Sequence, residues 1–187
     1  MSAETFGRYL PPVITLDDLA AMNAADPNGH RYELSPEGAL SVMPPADSEH
    51  AAIAGRIFAW LVLAGWPGEQ LLQAVGIKLP GPAGDGGGRI PDLTIWSAPQ
   101  PRVVWLPTTD LVLAVEIVSP GSASMDRTTK VQEYAAAGIP RYWLVERDTA
   151  QTVTLYSLEE DGTYDVTTKM PLAWLLQTQP ADHGLKA

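Results

Sequence analysis

Apolar residues recur at Ile53, Ile57, Trp60, Leu61 and Ala64, the spacing of one helix face, with Asp47 or Ser48 placed to cap the start and Gly65 the end. Thr15-Leu16-Asp17-Asp18 opens a shorter helix that runs to about Ala24, its hydroxyl capping the first turn and its aspartates facing the positive end of the dipole. A third helix is expected from about Ser124 to Ala137, closed by Gly138 and barred from continuing by Pro140. Between these lie β-prone runs. Tyr32-Glu33-Leu34 and Ala39 to Met43 flank Ser35-Pro36-Glu37-Gly38, a hairpin signal. Leu71 to Leu79 and Ile90 to Trp96 read as strands, and Leu111 to Val118 is so nearly continuous in apolar residues that it belongs at the centre of a sheet, buried on both faces. Arg141 to Val145, Thr152 to Ser157 and Tyr164 to Thr168 form a β-meander with Asp161-Gly162 at one turn. The glycines of residues 81–88 make a loop and not a phosphate-binding fingerprint, because a strand follows them where that fingerprint needs a helix. The order of elements predicts an α/β fold with a mixed β-sheet flanked by helices.

Length and composition narrow the class. At roughly 150 residues per domain, 187 residues make one domain, residues 1–187. An apolar fraction of 45% with 18% charged residues excludes a disordered or coiled-coil chain. The absence of cysteine removes disulfides, thiolate metal sites and thiol nucleophiles, and fits a reducing cytoplasm. The first five residues lack the basic start and apolar run of a secretory signal, and the longest apolar stretch, Ile57 to Trp66, is too short for a bilayer, so no membrane association is expected. The net charge of −10 rules out a generally basic, phosphate-binding surface. Its distribution is uneven: residues 1–50 carry eight acidic and two basic side chains, whereas residues 89–147 carry six of each.

Two acids stand out. Glu116 interrupts the central apolar run, and a carboxylate there is costly to bury unless it is paired or coordinates a metal. Asp92 follows Pro91 in another apolar strand. For Asp92 alone a turn or strand-edge aspartate is the commoner case, and Glu116 alone could equally reach solvent or an arginine at a strand end. On the helix, Asp126, Lys130 and Tyr134 share a face, where the commoner fate of Asp126 and Lys130 is a solvated ion pair.

Taken together, Pro91-Asp92, then Glu116-Ile117-Val118-Ser119-Pro120, then Asp126, Lys130 and Tyr134, then Gly138 to Val145, with Tyr32-Glu33-Leu34, Gly38, Met43-Pro44-Pro45 and His50 upstream, resemble the Uma-type family of restriction-endonuclease-like proteins. That family is a large bacterial group within the PD-(D/E)XK nuclease superfamily. The resemblance covers about residues 12–160 and implies a restriction-endonuclease-like core; a tail after about residue 177 is expected to be disordered. In the superfamily pattern a lysine stands two residues after the glutamate, on the same strand face. Here Val118 occupies that place, and the resemblance implies that Lys130 replaces it.

The resemblance thus implies a catalytic set of Asp92, Glu116, Lys130 and Glu33, with Asp126, Tyr134 and His50 as accessory residues; His50 read by itself is more often a packed or capping residue. Hard oxygens from Asp92 and Glu116 suit Mg²⁺ or Mn²⁺, which would activate a water against a phosphodiester. The expectation is a cytoplasmic, divalent-metal-dependent DNA endonuclease. Cutting both strands of a duplex is simplest with two active sites, which is the argument for a homodimer. The competing reading, slightly favoured by the charge of −10, is a catalytically silent nuclease fold that serves as a regulatory or DNA- or protein-binding module. A third, hydrolysis of a nucleotide or other small phosphate ester, shares the same metal chemistry. The six tryptophans are scattered and read as core or rim packing.

Overall fold

The computed structural model describes residues 13–82 and 86–186. Helix α1 (Leu16–Ala25) starts at a capping box in which the Thr15 side chain accepts from the Asp18 N–H and Asp18 accepts in return from the Thr15 N–H. It packs Leu16 and Leu19 on Tyr32 and Leu34 of the hairpin β1 (Arg31–Leu34) and β2 (Leu40–Met43). Helix α2 (Ser48–Leu63) is capped by Asp47, and Gly65 just beyond it takes φ +99°, a conformation open to glycine at little cost.

Among the described residues nine further strands follow: β3 (Leu71–Gln73), β4 (Gly76–Leu79), β5 (Gly87–Arg89), β6 (Leu93–Trp96), β7 (Trp105–Pro107), β8 (Leu111–Ile117), β9 (Arg141–Val145), β10 (Thr152–Leu158) and β11 (Tyr164–Pro171). They form two mixed sheets. The larger has the order β11-β10-β9-β8-β6-β3, parallel only between β8 and β9; the smaller has the order β2-β1-β5-β4-β7, parallel only between β4 and β7. As the apolar run requires, β8 is central and nearly all buried. Its alternation divides the core. Leu113, Val115 and Ile117 join Ile53, Ile57 and Leu61 of α2, whereas Ala114 and Val118 join Tyr134, Tyr142 and Leu144 on the other side. Glu116 therefore lies on the second side, facing helix α3 (Lys130–Ala136), which carries Tyr134.

The structure departs from the sequence reading at particular points. The strand expected over 71–79 is two strands in different sheets, because the chain turns between them at Ala74 with φ +51°. Part of the expected glycine loop is strand β5: a Cβ at Gly88 would stand 2.8 Å from the Trp105 ring and 2.9 Å from Leu16, so only glycine lets β5 lie there; residues 83–85 fall outside the described residues, as does the N-terminal stretch read for a signal. Strand β7 gave no legible signal in its three residues. The helix expected over 124–137 carries a π-helical turn, Met125–Thr129, ahead of α3. The tail after about residue 177, expected to be disordered, packs: Leu185 enters the core, Trp60 Nε1 of α2 donates to the Thr178 carbonyl at 3.0 Å, and Pro180–His183 forms a 3₁₀ turn.

Candidate functional site

Asp92 is fixed by the backbone before its side chain is considered: its N–H donates to the Val115 carbonyl at 3.1 Å and its carbonyl accepts from the Ala74 N–H at 3.2 Å. Its carboxylate then accepts from the Ile117 N–H (Oδ2, 2.8 Å), lies 3.0 Å from His50 Nε2 through the same oxygen, and accepts from both Arg31 Nη atoms at 3.1 Å through Oδ1. Burial works to raise its pKa, but the His50 hydrogen bond and the charges of His50 and Arg31 outweigh burial and hold the carboxyl below its usual value.

Glu116 sits opposite. Its Oε1 accepts from Lys130 Nζ at 2.8 Å and from the Tyr134 hydroxyl at 2.6 Å. Both Glu116 and Lys130 are 3% exposed. Desolvation pushes the Glu116 pKa up to about 8 against the opposing pull of Lys130. For Lys130, burial works to remove the proton, and the charges of Glu116, Glu33 and Asp126 hold it on, so its pKa rises. The ammonium lies 3.4 Å from Glu33 Oε2 and 3.3 Å from Asp126 Oδ1. The residue on the strand where the superfamily keeps its lysine, Val118, is buried in apolar contacts.

Glu33, on β1, accepts from the Ile90 N–H at 2.8 Å and from Arg89 Nη1 at 3.3 Å. Arg89 is fully buried and also forms a two-pronged pair with Glu133, at 2.7 and 2.6 Å. Asp126 is buried, with Oδ1 lacking a hydrogen-bond partner, and burial raises its pKa.

Six of the seven residues singled out from sequence, Glu33, His50, Asp92, Glu116, Asp126 and Lys130, line one cavity of about 220 Å³. Tyr134 does not line it and stands behind Glu116. His50 is more than a packed or capping residue, since its ring reaches Asp92. The sequence reading missed Arg31 and Arg147, which also line the cavity, and the buried Arg89–Glu133 pair behind it. Arg89 left a weak signal, an arginine between glycines and the apolar entry to Asp92. Glu133 left none, since a helix glutamate ordinarily faces water.

Among the described residues no three His, Asp or Glu side chains gather as a ready-made metal site. The donor chemistry nonetheless fits a hard divalent ion. Glu116 Oε2 accepts no hydrogen bond among the described residues, and Asp126 Oδ1 is buried with no hydrogen-bond donor and the Lys130 ammonium 3.3 Å away, so carboxylate oxygens are what the cavity has to offer.

The sequence profile of Uma2, described as "Putative restriction endonuclease", matches residues 16–186, which extends well past the 12–160 region where the resemblance was legible. A solved structure from Anabaena variabilis, described as "a putative nuclease belonging to DUF820", superposes with a TM-score of 0.58 at 22% identity, covering 82% of this chain and 83% of that one. At that identity the likeness is one of fold. No curated protein matches the chain.

Proposed function

Because this chain belongs to the Uma2 family, we propose that it is a divalent-metal-dependent endonuclease of the PD-(D/E)XK type that hydrolyses DNA phosphodiester bonds in the cavity bearing Asp92 and Glu116. The observation that carries the reading is Lys130, whose ammonium is buried against Glu116 although it comes from a helix and not from the glutamate's own strand. The description of the Anabaena protein as a nuclease supports it. A cytoplasmic setting, where a cysteine-free chain would meet DNA, belongs to the same proposal.

In this mechanism Asp92 and Glu116 would hold Mg²⁺ or Mn²⁺, which supplies Lewis-acid polarisation of the phosphodiester and a water of lowered pKa. The chain's own groups do the rest. Lys130, kept protonated by its three carboxylates, is a fixed positive charge for the negative charge that develops at phosphorus, and in this state it is no general base. Tyr134 orients Glu116, and Ile117 N–H, Arg31 and His50 orient Asp92. Glu33 steadies the ammonium and is itself steadied by Arg89 and Ile90.

The test is a cleavage screen on plasmid, linear and single-stranded DNA, RNA and nucleotides, with Mg²⁺, Mn²⁺ or EDTA. Metal-dependent cutting of DNA supports the proposal; cutting of nucleotides alone would assign a small phosphate ester. A second reading, a silent nuclease fold that binds without turnover, is favoured by one observation: both Asp92 oxygens are already engaged by protein donors. Binding of DNA without cleavage under every metal would select it.

A further inference from the structure

A second cavity, of about 380 Å³, adjoins the first, and the two share Ser119, Pro120 and Arg147 in their walls. We infer that this second cavity holds the phosphate next to the scissile one along a nucleic-acid strand, and that Arg147 is the guanidinium that grips the backbone at the junction. The inference rests on the proposed nuclease reading and adds a substrate-binding subsite to it.

Three observations point this way. Arg147 faces both cavities on a chain whose net charge is −10, whereas Arg127, in the second, is held by Glu146 at 2.8 and 2.7 Å with Glu49 and Asp148 also in the wall, so Arg147 is the guanidinium placed at the junction. Bulk attraction cannot bring a polyanion here, so local cations must do so. Among the described residues Arg147 is held by two surface acids: Nε and Nη2 donate to Glu49 Oε2 at 2.9 and 2.6 Å, and Nη2 lies 2.9 Å from Asp47 Oδ2. The Asp47 and Glu49 side chains are 55% and 47% exposed against 19% for Arg147, so their pairs are weak, screened ones that a phosphate can displace. The third observation is an unused valence: Arg147 Nη1 donates to no protein group among the described residues, which leaves one side of the fork for an oxyanion. The shared wall suits a continuous strand: one phosphate held at the Asp92–Glu116 cavity directs the chain past Arg147 into the adjoining one.

The experiment is fluorescence anisotropy of a labelled single-stranded oligonucleotide in EDTA, titrated from about 50 to 200 mM salt. Arg147→Gln is expected to weaken binding roughly tenfold and to make the slope of log K against log salt shallower by about 0.7, the loss of one phosphate contact. Arg147→Lys should keep most of the slope and lose part of the affinity, since a point charge replaces the fork. Glu49→Gln should tighten binding in the parent protein but not in Arg147→Gln, whereas Glu159→Gln, the same charge change in the β10–β11 turn, should do less than Glu49→Gln. A parent protein that binds while Arg147→Gln keeps its affinity and slope overturns the subsite and leaves the nuclease reading standing. A parent protein that binds no nucleic acid in EDTA overturns the subsite as well, while the nuclease reading stands or falls by the cleavage screen with metal.

Discussion

Lys130 and Glu116, fourteen residues apart in the chain, meet with Nζ 2.8 Å from Oε1, both side chains almost wholly removed from water. Desolvating two such charges costs several kcal/mol each, and a pair of this kind persists only where geometry and further hydrogen bonds offset that cost. Tyr134, Glu33 and Asp126 supply the further contacts. The pair sits at the wall of a cavity, where a purely structural ion pair gains nothing from its position, and this placement underlies the first prediction.

Lys130→Ala is expected to abolish DNA cleavage and to destabilise the fold by about 3–5 kcal/mol, because it strips the buried cluster of Glu116, Glu33 and Asp126 of its shared ammonium. Lys130→Met, which keeps the apolar stem, should lose cleavage equally and stability less. Plasmid nicking and urea midpoints read the two effects separately; full cleavage by either variant would remove Lys130 from the chemistry.

The raised pKa of Glu116 sets the sign of a pH effect. An unfolded glutamate ionises near 4.5 and the folded one near 8, so between these values the native state binds more protons than the unfolded state. Stability of the metal-free protein is therefore expected to fall as pH rises from about 4.5 to about 8, the contribution being fully present below 4.5. Asp92, with its lowered pKa, works oppositely but only in acid, below its ordinary 3.8, outside that window. Urea unfolding from pH 5 to 8.5 checks this, and Glu116→Gln should flatten the curve.

Metal should reverse part of that loss. Mg²⁺ or Mn²⁺ binding only the folded state at about one hundred times its Kd would add roughly 2.7 kcal/mol, seen as a rise in Tm. The rise should be larger at pH 8.5 than at pH 6, since the metal needs Glu116 ionised, and should vanish in Glu116→Gln. An unchanged Tm at millimolar metal counts against a site for it.

Arg89 yields a prediction about support and not chemistry. Arg89→Met leaves Glu133 and Glu33 buried without their guanidinium, and a loss of about 3–5 kcal/mol is expected. Combining it with Glu133→Gln should recover part of that loss, a coupling that thermal melts of the four proteins in the cycle would measure.

How much of this was legible beforehand depends on the reach of each interaction along the chain. Glu116 announced itself because a charge inside an apolar run is conspicuous, and the alternation of β8 fixes which face it takes. Lys130 was distinguishable from a solvated helix lysine only through the family resemblance, since its burial depends on where α3 packs. The roles of Arg31 and Arg147 were invisible, and that of Arg89 only faintly signalled, because their partners Asp92, Glu49 and Glu133 lie 61, 98 and 44 residues away. The break at Ala74 and the π-helical turn before Lys130 escaped for a related reason: one alters the backbone at a single residue and the other over five, spans too short for a periodicity to register. The packing of the tail was not legible because its partners are remote in sequence: Leu185 joins the core cluster that contains Ile57 and Leu61, and the Thr178 carbonyl accepts from Trp60.

The central claim is that Asp92 and Glu116 form the metal-dependent phosphodiesterase centre, and Asp92→Asn tests it most directly, since it keeps the shape of the side chain and removes its charge. Purified parent and variant proteins would be incubated with supercoiled plasmid in Mg²⁺ or Mn²⁺ and the nicked and linear products quantified. The account predicts cleavage by the parent that EDTA abolishes, and a loss of at least about a hundredfold in the variant, comparable to removing a principal electrostatic contributor. Undiminished cleavage by Asp92→Asn would contradict it.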